Sequence, residues 1–377
     1  MKKIVGTNLL GYPQIRNFAS LNFNNYQVVK KQDLFKIPSF LSFKLFNKLP
    51  QYELNSFWDL DLNKCDLYHF FNTISHGKKP WITTFETSLP RWGDISNKKI
   101  EKGLKFLAND NCKKLIAFSE CTKNIQEQYI INNFPEYKDV IFKKLISIHP
   151  SQKILVENID EKKTFNNEYT HFTFIGNQFF RKGGREAVYS TIKLYKEGLP
   201  VKLTIISKIE TDFYASQTTK VDVNEILKII NKYPKCINLL GQISNQEVLN
   251  LLKKTDVALL PTYADTYGYS VLEAQASACP VISTDIRALP EINNEDIGWV
   301  INVPKDELGN GILNNDKNRK LFSKQLENNL YQKMYEILKN KNIIKEKSKK
   351  SIENIKLNHS ISKKTKEIEK IYDDSIC

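Results

Sequence analysis

Along the first half of the chain, short apolar runs alternate with polar or helical stretches. The runs are Lys3 to Val5, Tyr26 to Val29, Asp66 to Phe71, Trp81 to Phe85, Leu115 to Phe118 and Leu145 to Ile148. Continuous apolar runs, rather than strict alternation, are what strands show when helices cover both faces of a parallel sheet. Helical spacing fits between the later runs, at Lys98 to Leu107 and Thr122 to Ile131. From Pro150 to Tyr169 the periodicity lapses into Ser, Lys, Glu, Asp and Asn, the composition of a linker. Beyond it the alternation resumes, with strands predicted at Phe172 to Ile175, Val201 to Ile206, Ile237 to Leu240, Val257 to Leu260 and Val281 to Ser283. Gly198 followed by Pro200 stops a helix begun near Arg185, and Ser244-Asn-Gln-Glu247 is a capping box that opens the next one. After Gly298 and Trp299 the chain turns lysine-rich and helical, with Ser360 as N-cap of a last helix carrying Ile361, Ile368 and Ile371.

The pattern predicts the α/β class, with two doubly wound, Rossmann-like domains. Residues 1–155 form the first, 156–345 the second, and 346–377 are C-terminal helices. The length of 377 residues agrees with two cores rather than one. Apolar residues at 41% and aromatic residues at 11% suffice to fill both.

Six cysteines (Cys65, Cys112, Cys121, Cys236, Cys279, Cys377) are scattered, with neither a Cys-x-x-Cys pair nor histidines at zinc spacing, so reduced thiols and no metal site are expected. No run approaches the roughly 18 apolar residues of a membrane span, and the start, Met-Lys-Lys-Ile-Val-Gly, enters a strand directly. The expected location is cytoplasmic, with peripheral contact at the inner face of a membrane as an extension. The net charge of +14 suits nucleic acid, anionic lipid or phosphorylated ligands, and equally a solvated basic surface. The segment from Phe35 to Leu49 mixes Phe40, Leu41, Phe43 and Phe46 with Lys44 and Lys48. It either lies on an anionic membrane or packs as a helix on the first domain.

The chemistry concentrates between Leu259 and Ala274, Leu-Leu-Pro-Thr-Tyr-Ala-Asp-Thr-Tyr-Gly-Tyr-Ser-Val-Leu-Glu-Ala. A strand ends in proline, Asp265 follows in a loop ahead of Tyr267-Gly268-Tyr269, and Glu273 lies eight positions on in the next helix. Unpaired N–H groups at that helix start suit a phosphate or a sugar hydroxyl, and Gly268 allows close approach to the main chain. Two carboxylates bracketing such a turn can accept hydrogen bonds from a sugar and a ribose. The plainer alternative is that Asp265 caps the helix and Glu273 complements its dipole. Upstream, Phe174-Ile175-Gly176-Asn177-Gln-Phe-Phe-Arg181-Lys182-Gly183-Gly184 joins a buried strand to a helix. Adjacent cations in a glycine-bearing loop suit a diphosphate whose charge grows as a glycosidic bond breaks.

The first of these stretches resembles the acidic-x7-Glu signature of retaining GT-B glycosyltransferases of family 4, with Asp instead of the usual Glu at its first position. The second resembles the Arg/Lys-Lys-Gly element of the same family. The resemblance implies that Asp265 contacts the transferred sugar and Glu273 the ribose. Arg181 and Lys182 would grip the diphosphate, and Gly176 corresponds to the glycine at the strand end. Gly241, Tyr267, Gly268 and Tyr269 complete the expected donor-binding set. Leu240-Gly241-Gln242, Pro280-Val-Ile-Ser-Thr284, Leu289-Pro290-Glu291-Ile292, Gly298-Trp-Val300 and Ile116-Ala-Phe-Ser119-Glu-Cys-Thr122 fall in the family's order.

The resemblance further implies two Rossmann-like domains facing a central cleft that holds the donor, with the C-terminal helices crossing back to the first domain. The activity implied is transfer of a hexose-type sugar from a UDP- or GDP-linked donor to a glycan, lipid-linked or protein acceptor. Configuration would be retained, and neither a metal nor another cofactor is expected. Where the family often has a histidine, this chain reads Thr83-Thr84-Phe85-Glu86, so Glu86 either replaces that group near the sugar or is a surface carboxylate. His69 reads as a core or loop histidine, Gly6 and Gly11 flank a loop after the first strand, and Asp59-Leu-Asp61 has an incidental metal-pair spacing. A sugar-nucleotide epimerase or phosphorylase on the same fold is the nearest alternative. A basic nucleic-acid-binding protein lacks any supporting motif.

Overall fold

The computed structural model describes residues 2–46, 55–93, 96–162 and 168–376. The chain divides into two compact units, Met1–Ser151 with His359–Cys377, and Gln152–Asn358. Both are α/β units built on a six-stranded parallel sheet.

Unit 1 contains β1 (Lys3–Thr7), β2 (Tyr26–Lys30), β3 (Ser56–Phe57), β4 (Leu67–Phe71), β5 (Ile74–Ser75), β6 (Trp81–Phe85), β7 (Cys112–Ala117) and β8 (Leu145–Ser147). Its main sheet runs β2-β1-β4-β6-β7-β8, and β3 pairs with β5 in a small parallel sheet of its own. The helices are α1 (Tyr12–Gln14), α2 (Lys36–Phe46), α3 (Asn97–Ala108), α4 (Glu120–Asn133) and α5 (Lys138–Phe142). The apolar runs of β4, β6 and β7 are continuous because each of these strands feeds two cores. Tyr68, Phe70, Trp81, Phe85, Leu115 and Ala117 pack on one face, and Leu67, Ile82 and Ile116 pack with Val5 and Tyr26 on the other.

The second of those cores is completed by the far end of the chain. Ile368, Ile371 and Tyr372 of the last helix are buried in it, Tyr26 Oη donates to Asp373 at 2.6 Å, and the Asn25 N–H donates to Glu369 at 2.7 Å. A Ser360 hydroxyl stands at the start of this helix, 3.5 Å from the Lys363 N–H.

Unit 2 contains β9 (Thr170–Ile175), β10 (Val201–Ile206), β11 (Ile237–Leu239), β12 (Val257–Leu260), β13 (Val281–Thr284) and β14 (Trp299–Ile301), ordered β11-β10-β9-β12-β13-β14. Its helices are α6 (Gly184–Lys196), α7 (Lys220–Lys232), α8 (Asn245–Leu252), α9 (Tyr269–Ala276), α10 (Leu289–Ile292), α11 (Asp316–Lys339) and α12 (Asn342–Asn358); α13 (Ile361–Ile376) is the helix that belongs to unit 1. The expected divisions at 155/156 and 345/346 compare with observed ones at 151/152 and 358/359. The second differs because α12 runs without a break to Asn358 and is held in unit 2, where Ser351 Oγ donates to the Ile297 carbonyl at 3.0 Å and Asn354 Nδ2 to Gln275 Oε1 at 2.9 Å. β14, like the two-residue strands β3 and β5, carries no strand prediction. Among the described residues no helix is long and apolar enough to cross a membrane.

Candidate functional site

In unit 2 the two stretches that carry the chemistry lie at neighbouring strand ends, because β9 and β12 are hydrogen-bonded partners. After β9, the Gly176 N–H still donates to the Ile206 carbonyl at 3.1 Å, and the chain then turns through residues 177–183 into α6. Two glycines make this turn possible. Gly183 has φ +79° and its Cα faces the Pro261 carbonyl oxygen, where a Cβ would sit 1.9 Å away. A Cβ on Gly184 would meet the Phe179 ring at 2.4 Å. The turn is thereby seated directly on the segment that leaves β12.

That contact brings a cation and an acid together. Lys182 Nζ donates to Asp265 Oδ2 at 2.6 Å, and the two side chains are 13% and 15% exposed. The Lys182 stem lies over Gly176, whose missing Cβ would be 2.8 Å from Lys182 Cγ. Asp265 Oδ1 also accepts from the Tyr267 N–H at 3.4 Å.

Behind the pair, Tyr263 fixes the acidic loop. Its N–H donates to the Arg181 carbonyl at 2.9 Å, and its hydroxyl donates to the buried Glu186 carboxylate at 2.6 Å, which also accepts from Ser323 Oγ at 2.6 Å. Burial, with the Glu186 charge beside it, pushes the Tyr263 phenol well above its ordinary value.

Gly268, with φ +95°, is the N-cap of α9 and offers no capping side chain. A Cβ there would meet Leu289 Cδ2 at 2.5 Å. The first turn of α9, Tyr269 and Ser270, opens onto a cavity of about 800 Å³ that is also lined by Gly176, Asn177, Lys182, Gln242, Asp265 and Glu273. Glu273 is 8% exposed. Ile175, Ile206, Val248 and Leu260 supply apolar wall, and the N-terminus of α8 (Ser244, Asn245) forms another edge. Ser244 and Glu247 make the expected capping box: Glu247 Oε2 accepts from the Ser244 N–H at 2.8 Å and its hydroxyl at 2.6 Å. Those bonds hold the Glu247 carboxyl below its ordinary range. One cavity thus offers an ammonium, the carboxylates of Asp265 and Glu273 beside the capping-box Glu247, and a helix start whose N-cap residue makes no side-chain cap bond, set against apolar wall. Such a set can hold a phosphorylated polyol with an attached ring.

Of the expected donor-site residues, Gly176, Lys182, Asp265, Tyr269 and Glu273 line this cavity. Gly268 shapes it from the α9 N-cap, and Tyr267 is buried beside it with its ring centroid 5.5 Å from that of Tyr269. Gly241 adjoins it through Gln242, in a left-handed turn at φ +69°. Arg181, expected on the diphosphate beside Lys182, is not among the lining residues. Its carbonyl is tied to the Tyr263 N–H and, at 3.2 Å, to Thr262 Oγ1. Its Nε is buried without a hydrogen-bond partner. Asn177 and Ser270 line the cavity without having been singled out: uncharged polar residues in turns carry little signal beside a lysine or a carboxylate.

Glu86 belongs to unit 1, directly after β6. It forms an ion pair with Arg91, and its backbone N–H donates to Asn72 Oδ1 at 3.2 Å. His69 is a satisfied core histidine. It is fully buried and stacked on Phe18 at 3.7 Å, with Nδ1 2.8 Å from Tyr372 Oη and Nε2 2.8 Å from Thr84 Oγ1. Burial holds its imidazole well below the ordinary value. Asp59 serves its own loop, accepting from the Asp61 and Asn63 N–H groups and from Tyr68 Oη at 2.5 Å. Gly6 faces the Tyr68 ring, 2.5 Å from where a Cβ would stand. The five described cysteines are free thiols; Cys377 lies outside the described residues.

The profile of the glycosyl transferases group 1 family matches residues 156–356, more than half of the chain. Glycogen synthase of Mycobacterium tuberculosis (strain ATCC 25618 / H37Rv) is 25% identical over 137 residues, covering 36% of this chain and 31% of that protein. The capsular polysaccharide biosynthesis glycosyltransferase CapM of Staphylococcus aureus is 25% identical over 209 residues, covering 54% of this chain and 50% of that protein. The chain therefore spans about a third to a half of the length of these relatives. The crystal structure of Anabaena HepE in complex with UDP superposes with a TM-score of 0.60 at 11% identity, covering 99% of this chain and 100% of that one, a likeness of fold. With the matching family profile laid over unit 2 and its cavity, the chain belongs to the glycosyl transferases group 1 family and has the GT-B type of fold.

Proposed function

We propose that the protein transfers a hexose-type sugar from a nucleoside-diphosphate donor, UDP- or GDP-linked, to a glycan, lipid-linked or protein acceptor, with retention of anomeric configuration and without a metal ion. The observation that carries this reading is the cavity in which Lys182, Asp265, Glu273 and the uncapped start of α9 meet. A diphosphate fits at Lys182 and the α9 N–H groups, which oppose its charge as it leaves. Asp265 accepts from sugar hydroxyls and Glu273 from the ribose, while Ile175, Ile206 and Val248 offer apolar wall to the base. With positive charge supplied by a side chain and a helix terminus, no metal is needed to neutralise the leaving group. The departing phosphate oxygen takes the acceptor proton, so catalysis is orientation plus electrostatic stabilisation. HepE, which shares the fold, was crystallised with UDP, which favours the uridine donor.

The test is incubation of the purified chain with UDP- and GDP-sugars, with and without candidate acceptors and with a chelator present. Acceptor-dependent release of nucleoside diphosphate, undiminished by the chelator, supports the proposal. Release only on re-addition of a divalent cation removes the metal-free mechanism. Conversion of the donor to an isomer without acceptor assigns the cavity to epimerisation instead.

A further inference from the structure

Unit 1 carries a surface that the donor cavity does not use. On α2, Lys36, Ile37, Phe40, Leu41, Lys44 and Leu45 are all exposed. Their spacing repeats every four residues, which places them on one helical stripe. Phe40 is 63% and Leu45 70% exposed, unusual for side chains of that size. Lys36 Nζ donates to the Asn8 carbonyl at 3.1 Å and ties the stripe to the segment after β1, where Leu9, Leu10, Tyr12 and Ile15 are exposed as well. At the start of the helix, Lys30, Lys31 and Lys36 line a shallow hollow of about 510 Å³. The one acid in that hollow, Asp33, is engaged by the N–H groups of Phe35 at 3.1 Å and Trp58 at 3.4 Å. The side chains of Phe43 and Phe46, and residues Lys48 and Leu49, lie outside the described part of the structure.

A contiguous apolar stripe in water marks a contact surface. Its lysines select the partner. Lys36 and Lys44 share the stripe with the apolar side chains, so a second copy docking face to face about a two-fold axis would bring like charges together. An anionic bilayer matches both parts: the apolar side chains enter the acyl boundary while the lysine stems extend their ammonium groups to the lipid phosphates. The net charge of +14 acts in the same direction. We propose that the outer stripe of α2, with the adjoining 9–15 segment and the Lys30–Lys31–Lys36 hollow, docks this protein on an anionic lipid bilayer. The proposal stands independently of the donor reading.

The experiment is co-sedimentation of the full chain with vesicles of phosphatidylcholine alone or mixed with phosphatidylglycerol, alongside UDP binding measured on the same preparations. Binding to the anionic vesicles only is expected, and it should be lost as ionic strength rises from about 0.01 M to about 1 M, where the screening length falls from about 30 to about 3 Å. Phe40→Asp combined with Leu41→Asp should weaken partition about tenfold or more, and Lys30→Glu combined with Lys31→Glu should weaken it comparably. Both variants alter exposed or half-exposed side chains and should bind UDP as the parent does. The proposal is overturned by parent-like vesicle binding in both variants, by equal binding to neutral vesicles, or by no binding at all. Sedimentation velocity revealing a dimer that Phe40→Asp dissolves would overturn it too, in favour of a second copy.

Discussion

Lys182→Ala is the perturbation that tests the site most directly. At 2.6 Å and an effective dielectric of about 20, its attraction to Asp265 is about 6 kcal/mol before desolvation. Both groups are largely withdrawn from water, so the net coupling falls to the range of a charge-assisted hydrogen bond, about 1.5–3 kcal/mol. Removing the lysine strands the Asp265 carboxylate and should lower unfolding free energy by about 1–3 kcal/mol. Lys182→Ala with Asp265→Ala should cost less than the sum of the two single changes, by about 1.5–3 kcal/mol. If the ammonium also meets a diphosphate, UDP affinity should fall about 10- to 100-fold and kcat/KM by about 10²–10³-fold. Arg181→Ala, outside the cavity lining, should shift UDP affinity by less than about threefold. Urea titration gives the stabilities, calorimetric titration with UDP the affinities, and a steady-state transfer assay kcat/KM. A Lys182→Ala protein that binds UDP as the parent does, or an Arg181→Ala protein that loses it equally, would refute the assignment of the diphosphate to Lys182.

Gly183→Ala should destabilise unit 2 by about 3 kcal/mol or more, since a Cβ at φ +79° would stand 1.9 Å from the Pro261 oxygen; a change in urea midpoint equivalent to less than about 1 kcal/mol would contradict the seating of the turn. Tyr263→Phe removes a 2.6 Å hydrogen bond to a buried carboxylate and should cost about 1.5–3 kcal/mol, with UDP affinity reduced as the acidic loop loosens. Acid should weaken the fold before carboxylates titrate. Burial holds His76 and His359 down to about 4, against an ordinary 6.5. The unfolded chain therefore takes up protons first as pH falls below 6.5, and stability declines from there to about pH 4. Urea midpoints should drop over that window, less steeply in His76→Gln; a flat or rising profile would contradict the burial of these imidazoles.

The sheets were legible where strands such as β4, β6 and β7 feed two cores and so read as nearly continuous apolar runs, and Val201–Ile206 and Val257–Leu260 have the bounds the pattern predicts. β14, whose Trp299-Val-Ile301 follows directly on Gly298, escaped notice. In unit 2, residue type pointed to Lys182, Asp265 and Glu273, charged residues next to a glycine-marked turn, and these three line one cavity. It pointed equally to Arg181, which is not among the residues lining that cavity, because two adjacent cations look alike in one dimension. Glu86 was ambiguous for a similar reason: its pairing with Arg91 and Asn72 depends on a loop geometry that no local pattern encodes.

The helix α13 reaches back across more than 340 positions to give Tyr26 and Asn25 their partners. On a ribosome, the amino-terminal half emerges early yet must wait, its second core open on one side, while all of unit 2 is made. The unit synthesised first is thus the last to be finished. A nascent-chain release assay stopped before residue 361 should leave that half sensitive to protease, however long it is allowed to stand.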